Sequence, residues 1–189
     1  VGRVASTNIM ITDRGPLFLA DTTMNIDPTA EQLAEIALMT AQVASTFGFE
    51  PVIALLSYAN FGTSEHPHAT KVKQAVKLLH TQHPNLLVDG ELQLDFALNK
   101  DLHQSIFPFS KIAGKKVNTL VFPNLESANI TYKLLKEVNH ADSIGPFLMG
   151  LKNPIHLIQL GASVQEMVNM AALTAIDAQE RSPNKKSNS

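Results

Sequence analysis

Apolar positions along the chain switch repeatedly between two periods. In STNIMITDRGPLFLADTTMNID, two short apolar runs flank Asp13-Arg14-Gly15-Pro16. That pattern predicts two strands joined by a turn, with the chain leaving the sheet at Asp21. The next stretch, DPTAEQLAEIALMTAQVASTFGFEP, is helical in period: Leu33, Ile36, Ala37, Val43, Ala44 and Phe47 fall on one stripe. Asp27 is its expected N-cap, Pro28 its first helical residue and Gly48 its C-cap. PVIALLSY is apolar throughout until its polar end, the pattern of a strand buried on both faces. NFGTSEHPH reads as a loop and ATKVKQAVKLLHTQ as a helix. LLVDGE reads as a strand with its polar residues at the C-terminal end, LDFALNKDLHQSIF as helical, and KKVNTLVFP as a strand. NLESANITYKLLKEV reads as a helix that Asn124 can cap, and SIGPFLMG as extended or loop. A last helix runs from about Val164 to Gln179, with Val164, Met167, Val168, Ala171 and Ala175 as its apolar stripe, read as either core or a partner surface. Strands alternating with helices through short connections predict an α/β fold with a mostly parallel sheet.

Composition narrows the function classes. Hydrophobic residues make up 44% and charged residues 17% of 189 residues, as in ordinary globular domains. The net charge of −2 and the lack of a basic patch argue against nucleic acid or a membrane surface as partner. There are no cysteines, which removes disulfides, thiolate nucleophiles and cysteine zinc sites. No apolar run reaches membrane-spanning length and no signal peptide is visible, so a cytoplasmic location is expected. The direct start at Val1 into a strand pattern suggests a segment of a longer polypeptide. The expected organisation is one domain over residues 1–180 and a disordered polar tail over 181–189.

Candidate chemistry clusters after the strands, because ligands of open α/β sheets bind outside the strands' C-terminal ends. Asp89, Gly90 and Glu91, with Asp95 close behind, offer paired carboxylates for acid/base work or a metal; an Asp-Gly turn followed by solvated acids is the plainer reading. Ser57, Asn60 and Gly62, with Tyr58, Thr63 and Ser64, form a loop whose backbone N–H groups can hold an anion, although it has neither Walker nor Rossmann spacing. Asn129, in the first turns of its helix, can face the same cleft or stand exposed. His66 and His68 are separated by Pro67, while His80 and His83 can converge near a helix end; none has HExxH spacing, and no metal site is expected. Ser163-Val-Gln-Glu166 matches a capping box, and Gly161 permits a tight turn.

Taken in order, FLADTTMNIDPTAEQLAEIA, VDGELQLD, FPNLESANITYKLL, IGPFLMGLKNPIH and LGASVQEMVNMAA resemble the phosphotransacetylases. Those enzymes exchange acetyl groups between acetyl phosphate and coenzyme A. LLSYANFGT, FPFSKIAGKKVNTLVFPNLESANITYKLL and VNMAALTAIDAQ are more similar to the phosphotransacetylase-like C-terminal domain of hybrid NADP-dependent malic enzymes. The resemblance implies a three-layer α/β/α fold related to the isocitrate and isopropylmalate dehydrogenases, and a chain that lacks the first part of the family domain. It also implies a homodimer or higher homo-oligomer, fused to an N-terminal malic-enzyme domain that would hold the NADP and divalent metal. This chain would carry no cofactor of its own, with acetyl-CoA or a related CoA compound as effector. In the family, a serine and an arginine stabilise the charge developing on the acetyl group, and an aspartate takes the thiol proton. Those positions carry Gln159, Leu160 and Glu166 here, so the resemblance implies a loop no longer equipped for catalysis. An active phosphate acetyltransferase is the alternative. The chain's arginines, Arg3, Arg14 and Arg181, match no coenzyme A motif of the family.

Overall fold

The structure, a computed structural model, describes residues 2–139 and 142–181. Six strands and six helices follow in order: β1 (Ala5–Thr12), β2 (Gly15–Ala20), α1 (Ala30–Thr46), β3 (Val52–Leu56), α2 (Pro67–Gln82), β4 (Leu87–Leu92), α3 (Leu94–Leu98), α4 (Lys100–Ile106), β5 (Thr119–Val121), α5 (Leu125–Asn139), β6 (Ser143–Met149) and α6 (Val164–Arg181). The strands form one sheet in the order β4-β3-β5-β2-β1-β6. The first four run parallel; β1 is antiparallel to both β2 and β6.

Strand pleating sorts the apolar residues into two cores. Ile53 and Leu55 of β3 join Phe18 of β2 and Val121 of β5 beneath α1 and α2. Val52, Ala54 and Leu56 face the other way, with Leu17, Leu19 and Leu120, against Ala97 of α3 and Ala128 and Tyr132 of α5. The sheet is therefore covered on both faces. β6 lies at an edge, where its Pro146 costs no interior ladder bond.

Several predicted boundaries move, each for a local reason. Asp27 does not cap α1; Thr29 does, in a reciprocal capping box with Gln32 that leaves Pro28 outside the helix. Asp27 instead pairs with Lys71 of α2 at 2.5 Å. The C-cap is Phe47, and Gly48 follows it at φ +81°, the left-handed conformation that glycine adopts freely. Pro67 opens α2 ahead of the predicted start at Ala69, and the His66 ring accepts from the N–H of His68. The predicted helix over 94–107 breaks at Asn99, which ends α3 and caps α4 through the N–H of Leu102. The extended stretch from Ser143 is a full strand, and β5 is only Thr119–Val121. The preceding Asn118 spends its side chain on β3, accepting from the N–H of Val52.

The last helix excludes the core reading of its apolar stripe. Its predicted apolar stripe, Val164, Met167, Val168, Ala171 and Ala175, is exposed. The inward face is Glu166, Met170, Leu173 and Asp177 instead, and only Met170 and Asp177 are buried. Asp177 turns inward because it has two partners, His156 at 3.1 Å and Arg181 at 2.6 Å. Arg181 thus closes α6 rather than opening the tail, and residues 182–189 lie outside the described residues.

Candidate functional site

The sequence candidates fall into separate groups at the ends of different elements. The first joins the loop after β3 to the end of β4. Asn60 accepts from the N–H of Gln93 at 2.7 Å, and the N–H of Phe61 donates to the Glu91 carbonyl at 2.9 Å. The N–H of Gly62 donates to Glu91 Oε1. The Ser57 N–H donates to the Leu92 carbonyl, and its hydroxyl accepts from the N–H of Ala59. Ser57, Asn60, Gly62 and Glu91 therefore do come together. Gly62 sits at φ +88°, where the loop turns toward the carboxylate. Glu91 is fully buried, and its Oε2 has no partner among the described residues. A buried carboxylate oxygen left over in this way is the group here with capacity for a further donor.

Asp89 does not join Glu91 as an acid pair. Its Oδ2 accepts from the Ser110 hydroxyl and the Lys111 N–H, both at 2.8 Å, and its Oδ1 from the N–H of Gly90. The carboxylate is a buried anchor for the 110–111 turn. Gly90 holds φ +148°, and a β-carbon there would meet the Leu55 carbonyl oxygen. Among the described residues no three His, Cys, Asp or Glu side chains converge as metal ligands. His80 points to the Val88 carbonyl at 2.8 Å.

Asn129 belongs to a second group, at the end of β2. Its amide donates to the Thr22 carbonyl at 3.2 Å. Around it, Asp21 gathers the N–H and hydroxyl of Ser6, the N–H groups of Thr23, Met24 and Asn25, and the Asn25 amide. Asn8 donates to the Thr22 hydroxyl at 2.7 Å. Sequence reasoning missed this knot. The available signal was the polar trio Ser6-Thr7-Asn8 inside a buried strand, facing Asp21-Thr22 at the end of its neighbour.

The third group is the loop before α6. Glu166 Oε2 accepts from the N–H of Ser163, and the Ser163 hydroxyl accepts from the N–H of Glu166: the predicted capping box. Glu166 Oε1 is also ion-paired at 2.9 Å to Lys136 of α5, a partner the sequence did not reveal. The Ser163 N–H first, and Lys136 second, hold the Glu166 carboxyl below its ordinary pKa of 4.5. Gln159 and Gly161 are exposed, Gly161 at φ +85° with open space around it, and Leu160 is wholly exposed. Among the described residues, Lys136 is the one cation lining this cleft, whose volume is only about 50 Å³.

Two buried histidines, also missed in the sequence, sit beside these groups. His103 is fully buried among Phe61 and Phe107, with both ring nitrogens unpartnered among the described residues. His156 stacks on Phe147 at 3.9 Å, accepts from the N–H of Leu148 on Nδ1, and so presents a protonated Nε2 to Asp177. Burial is the main cause holding both below the ordinary histidine pKa of 6.5; Asp89 opposes it at His103, and Asp177 opposes it at His156. The unfolded chain therefore takes up protons near pH 6.5 that the folded chain refuses. Stability is present in full above that pH and is lost as pH falls toward the folded values. Urea midpoints are expected to decline from pH 7.5 to pH 5.5, with a shallower decline in His103→Phe. A midpoint that holds level or rises across that range contradicts this account.

With the geometry in place, similarity to known proteins decides the family. Residues 1–175 match the phosphate acetyl/butaryl transferase family. The chain belongs to that family. It is 40% identical over 180 residues to the NADP-dependent malic enzyme of Haemophilus influenzae, a match covering 95% of this chain and 24% of that protein. The phosphate acetyltransferase of Treponema pallidum is 42% identical over 171 residues, covering 89% of this chain and 51% of that protein. The EutD phosphotransacetylase from Staphylococcus aureus superposes with a TM-score of 0.87 at 33% identity, over 94% of this chain and 55% of the other. A phosphotransacetylase from Streptococcus pyogenes gives 0.86 at 37% identity, over 94% and 54%. The chain thus spans about a quarter of the malic enzyme and about half of these phosphotransacetylases. Among the described residues, no helix is long and apolar enough to cross a membrane.

Proposed function

We propose that this chain is a non-catalytic regulatory and oligomerisation domain of an NADP-dependent malic enzyme, a cytoplasmic protein that oxidatively decarboxylates malate to pyruvate. NADP and a divalent metal would sit in a malic-enzyme domain of the same polypeptide, and acetyl-CoA or a related CoA compound would be the effector. The fold would share its ancestry with the isocitrate and isopropylmalate dehydrogenases.

The observation that carries this reading is the state of the loop at 159–166. Acetyl transfer builds negative charge on an oxyanion and a leaving phosphate, and removing one stabilising donor from such a site costs about 10²–10³ in rate. Leu160, where the family resemblance places an arginine, offers neither charge nor donor and faces solvent. Lys136 does not replace it, because its ammonium is paired with Glu166. Glu166 in turn is committed to that pair and to the helix cap. An oligomerisation role draws support from apolar residues left exposed: Ile130, Leu134 and Val138 on one stripe of α5, and Val164, Met167 and Val168 on α6.

The alternative, an active phosphate acetyltransferase, draws support from the identity to proteins of that name. The two readings separate on malate oxidation by the complete polypeptide. A regulatory domain predicts that added acetyl-CoA changes the rate at subsaturating malate, and that the response is lost when residues 1–181 are deleted. An acetyl-CoA response of the same size after that deletion would overturn the regulatory reading.

A further inference from the structure

A cavity of about 560 Å³ opens where β2 and β5 begin, at the end of the sheet opposite Asp21 and Glu91. Its floor is apolar, with Leu17 and Val117 both buried and Leu98 beside them. Four cations surround it, Arg14, Lys100, Lys115 and Lys116, against one carboxylate, Asp101. They come from three separate segments: the β1–β2 turn, the first residue of α4, and the loop ahead of β5. In a chain of net charge −2 this is a local concentration of one sign.

None of these four cations makes an ion pair among the described residues, whereas Arg3, Lys71, Lys136 and Arg181 all do. Converging like charges repel, so the fold gains nothing from this grouping, and the field it makes attracts an anion. The apolar floor and the volume fit an organic anion better than a bare phosphate, since small-molecule pockets usually enclose about 300–1,000 Å³.

Phe49 adds the specific chemistry. It is 39% exposed and lines the cavity. Its position is fixed nonetheless: its N–H donates to the Ala44 carbonyl in the C-terminal turn of α1, and its ring packs on Phe18 at 6.0 Å. A fixed, exposed aromatic ring beside unpaired cations is suited to stack a nucleobase while the cations hold phosphates.

We propose that this cavity binds a nucleotide, with its phosphates on Arg14, Lys100, Lys115 and Lys116 and its base against Phe49. The site stands independently of the regulatory reading above. The ligand chemistry has two sources, a free nucleotide or the nucleotide portion of coenzyme A, and the test separates them.

The test is calorimetric titration of the full chain at low salt with ADP, coenzyme A and inorganic pyrophosphate. ADP is expected to bind saturably. Lys115→Gln combined with Lys116→Gln should weaken it about tenfold or more, from the loss of two charge-assisted contacts. Arg14→Gln should act the same way, which guards against one variant failing to fold. Phe49→Ala should weaken ADP and coenzyme A but leave pyrophosphate unchanged. Tighter binding of coenzyme A than ADP assigns the site to the cofactor's nucleotide portion; the reverse assigns it to a free nucleotide. The proposal is overturned if neither ADP nor coenzyme A saturates by about 1 mM, if the lysine variant binds as the parent does, or if pyrophosphate matches ADP and Phe49→Ala changes nothing.

Discussion

Asp21→Ala is expected to destabilise the chain by about 3–5 kcal/mol, a large share of a domain's usual stability. The reason is the number of donors that depend on one carboxylate. Asp21 is 3% exposed. It accepts from the backbone N–H groups of Ser6, Thr23, Met24 and Asn25, from the Ser6 hydroxyl and from the Asn25 amide. Alanine leaves these donors without an acceptor, and an unsatisfied buried donor costs about 1–3 kcal/mol. Water reaching the exposed side of the turn would recover part of that, so the expected total stays below the simple sum. The substitution also releases the turn that carries Thr22, the partner of Asn8 and Asn129. Urea unfolding should show a midpoint lower by about 1–2 M. A loss smaller than about 1 kcal/mol would mean that the knot is solvated rather than structural.

Gly90→Ala is expected to cost about 3 kcal/mol or more, by a different route. A β-carbon at residue 90 would stand 2.5 Å from the Leu55 carbonyl oxygen. That oxygen is backbone in the neighbouring central strand and cannot rotate away. The φ of +148° is a second penalty, because side-chain-bearing residues rarely adopt it. Relief requires β4 to move away from β3, which disturbs Asp89 and Glu91 on either side of the substitution. The chain should unfold at lower urea and lose the protection of β3 and β4 amides in hydrogen exchange. Unchanged stability would show that the strands can separate at little cost.

Much of the fold was legible because burial imposes simple periods. The five apolar residues of β3 sit between two cores, so the strand reads as a continuous run. The stripe of α1 reads clearly because one face of that helix is fully covered. The errors arise where polar groups decide the outcome. Asp27 and Thr29 are both good caps; Thr29 wins because Gln32 stands three residues on to complete the box, while Lys71 draws Asp27 away. For α6, apolarity left core and partner surface both open, and the stripe is exposed. The inward face is set by Glu166 with Lys136 and by Asp177 with His156 and Arg181, ion pairs between residues distant in sequence.

The candidate site divides along the same line. The capping box of Ser163 and Glu166 was readable because it is local. For Asp89 and Glu91, neither the acid pair nor the plainer reading of solvated acids foresaw that each carboxylate is buried and held separately. Spacing along a strand does not tell that Ser110 and Lys111 take one carboxylate and Gly62 the other. His103 and the Asp21 knot were invisible for the same reason, since their environments are assembled from segments far apart in the chain.

The central claim is that the loop at 159–166 keeps its shape without its chemistry. It is tested most directly by acetyl-CoA formation from acetyl phosphate and coenzyme A, using the complete polypeptide that carries this chain. The account predicts a rate indistinguishable from the uncatalysed background, unchanged by Glu166→Gln. Enzyme-like turnover that Glu166→Gln abolishes would contradict it.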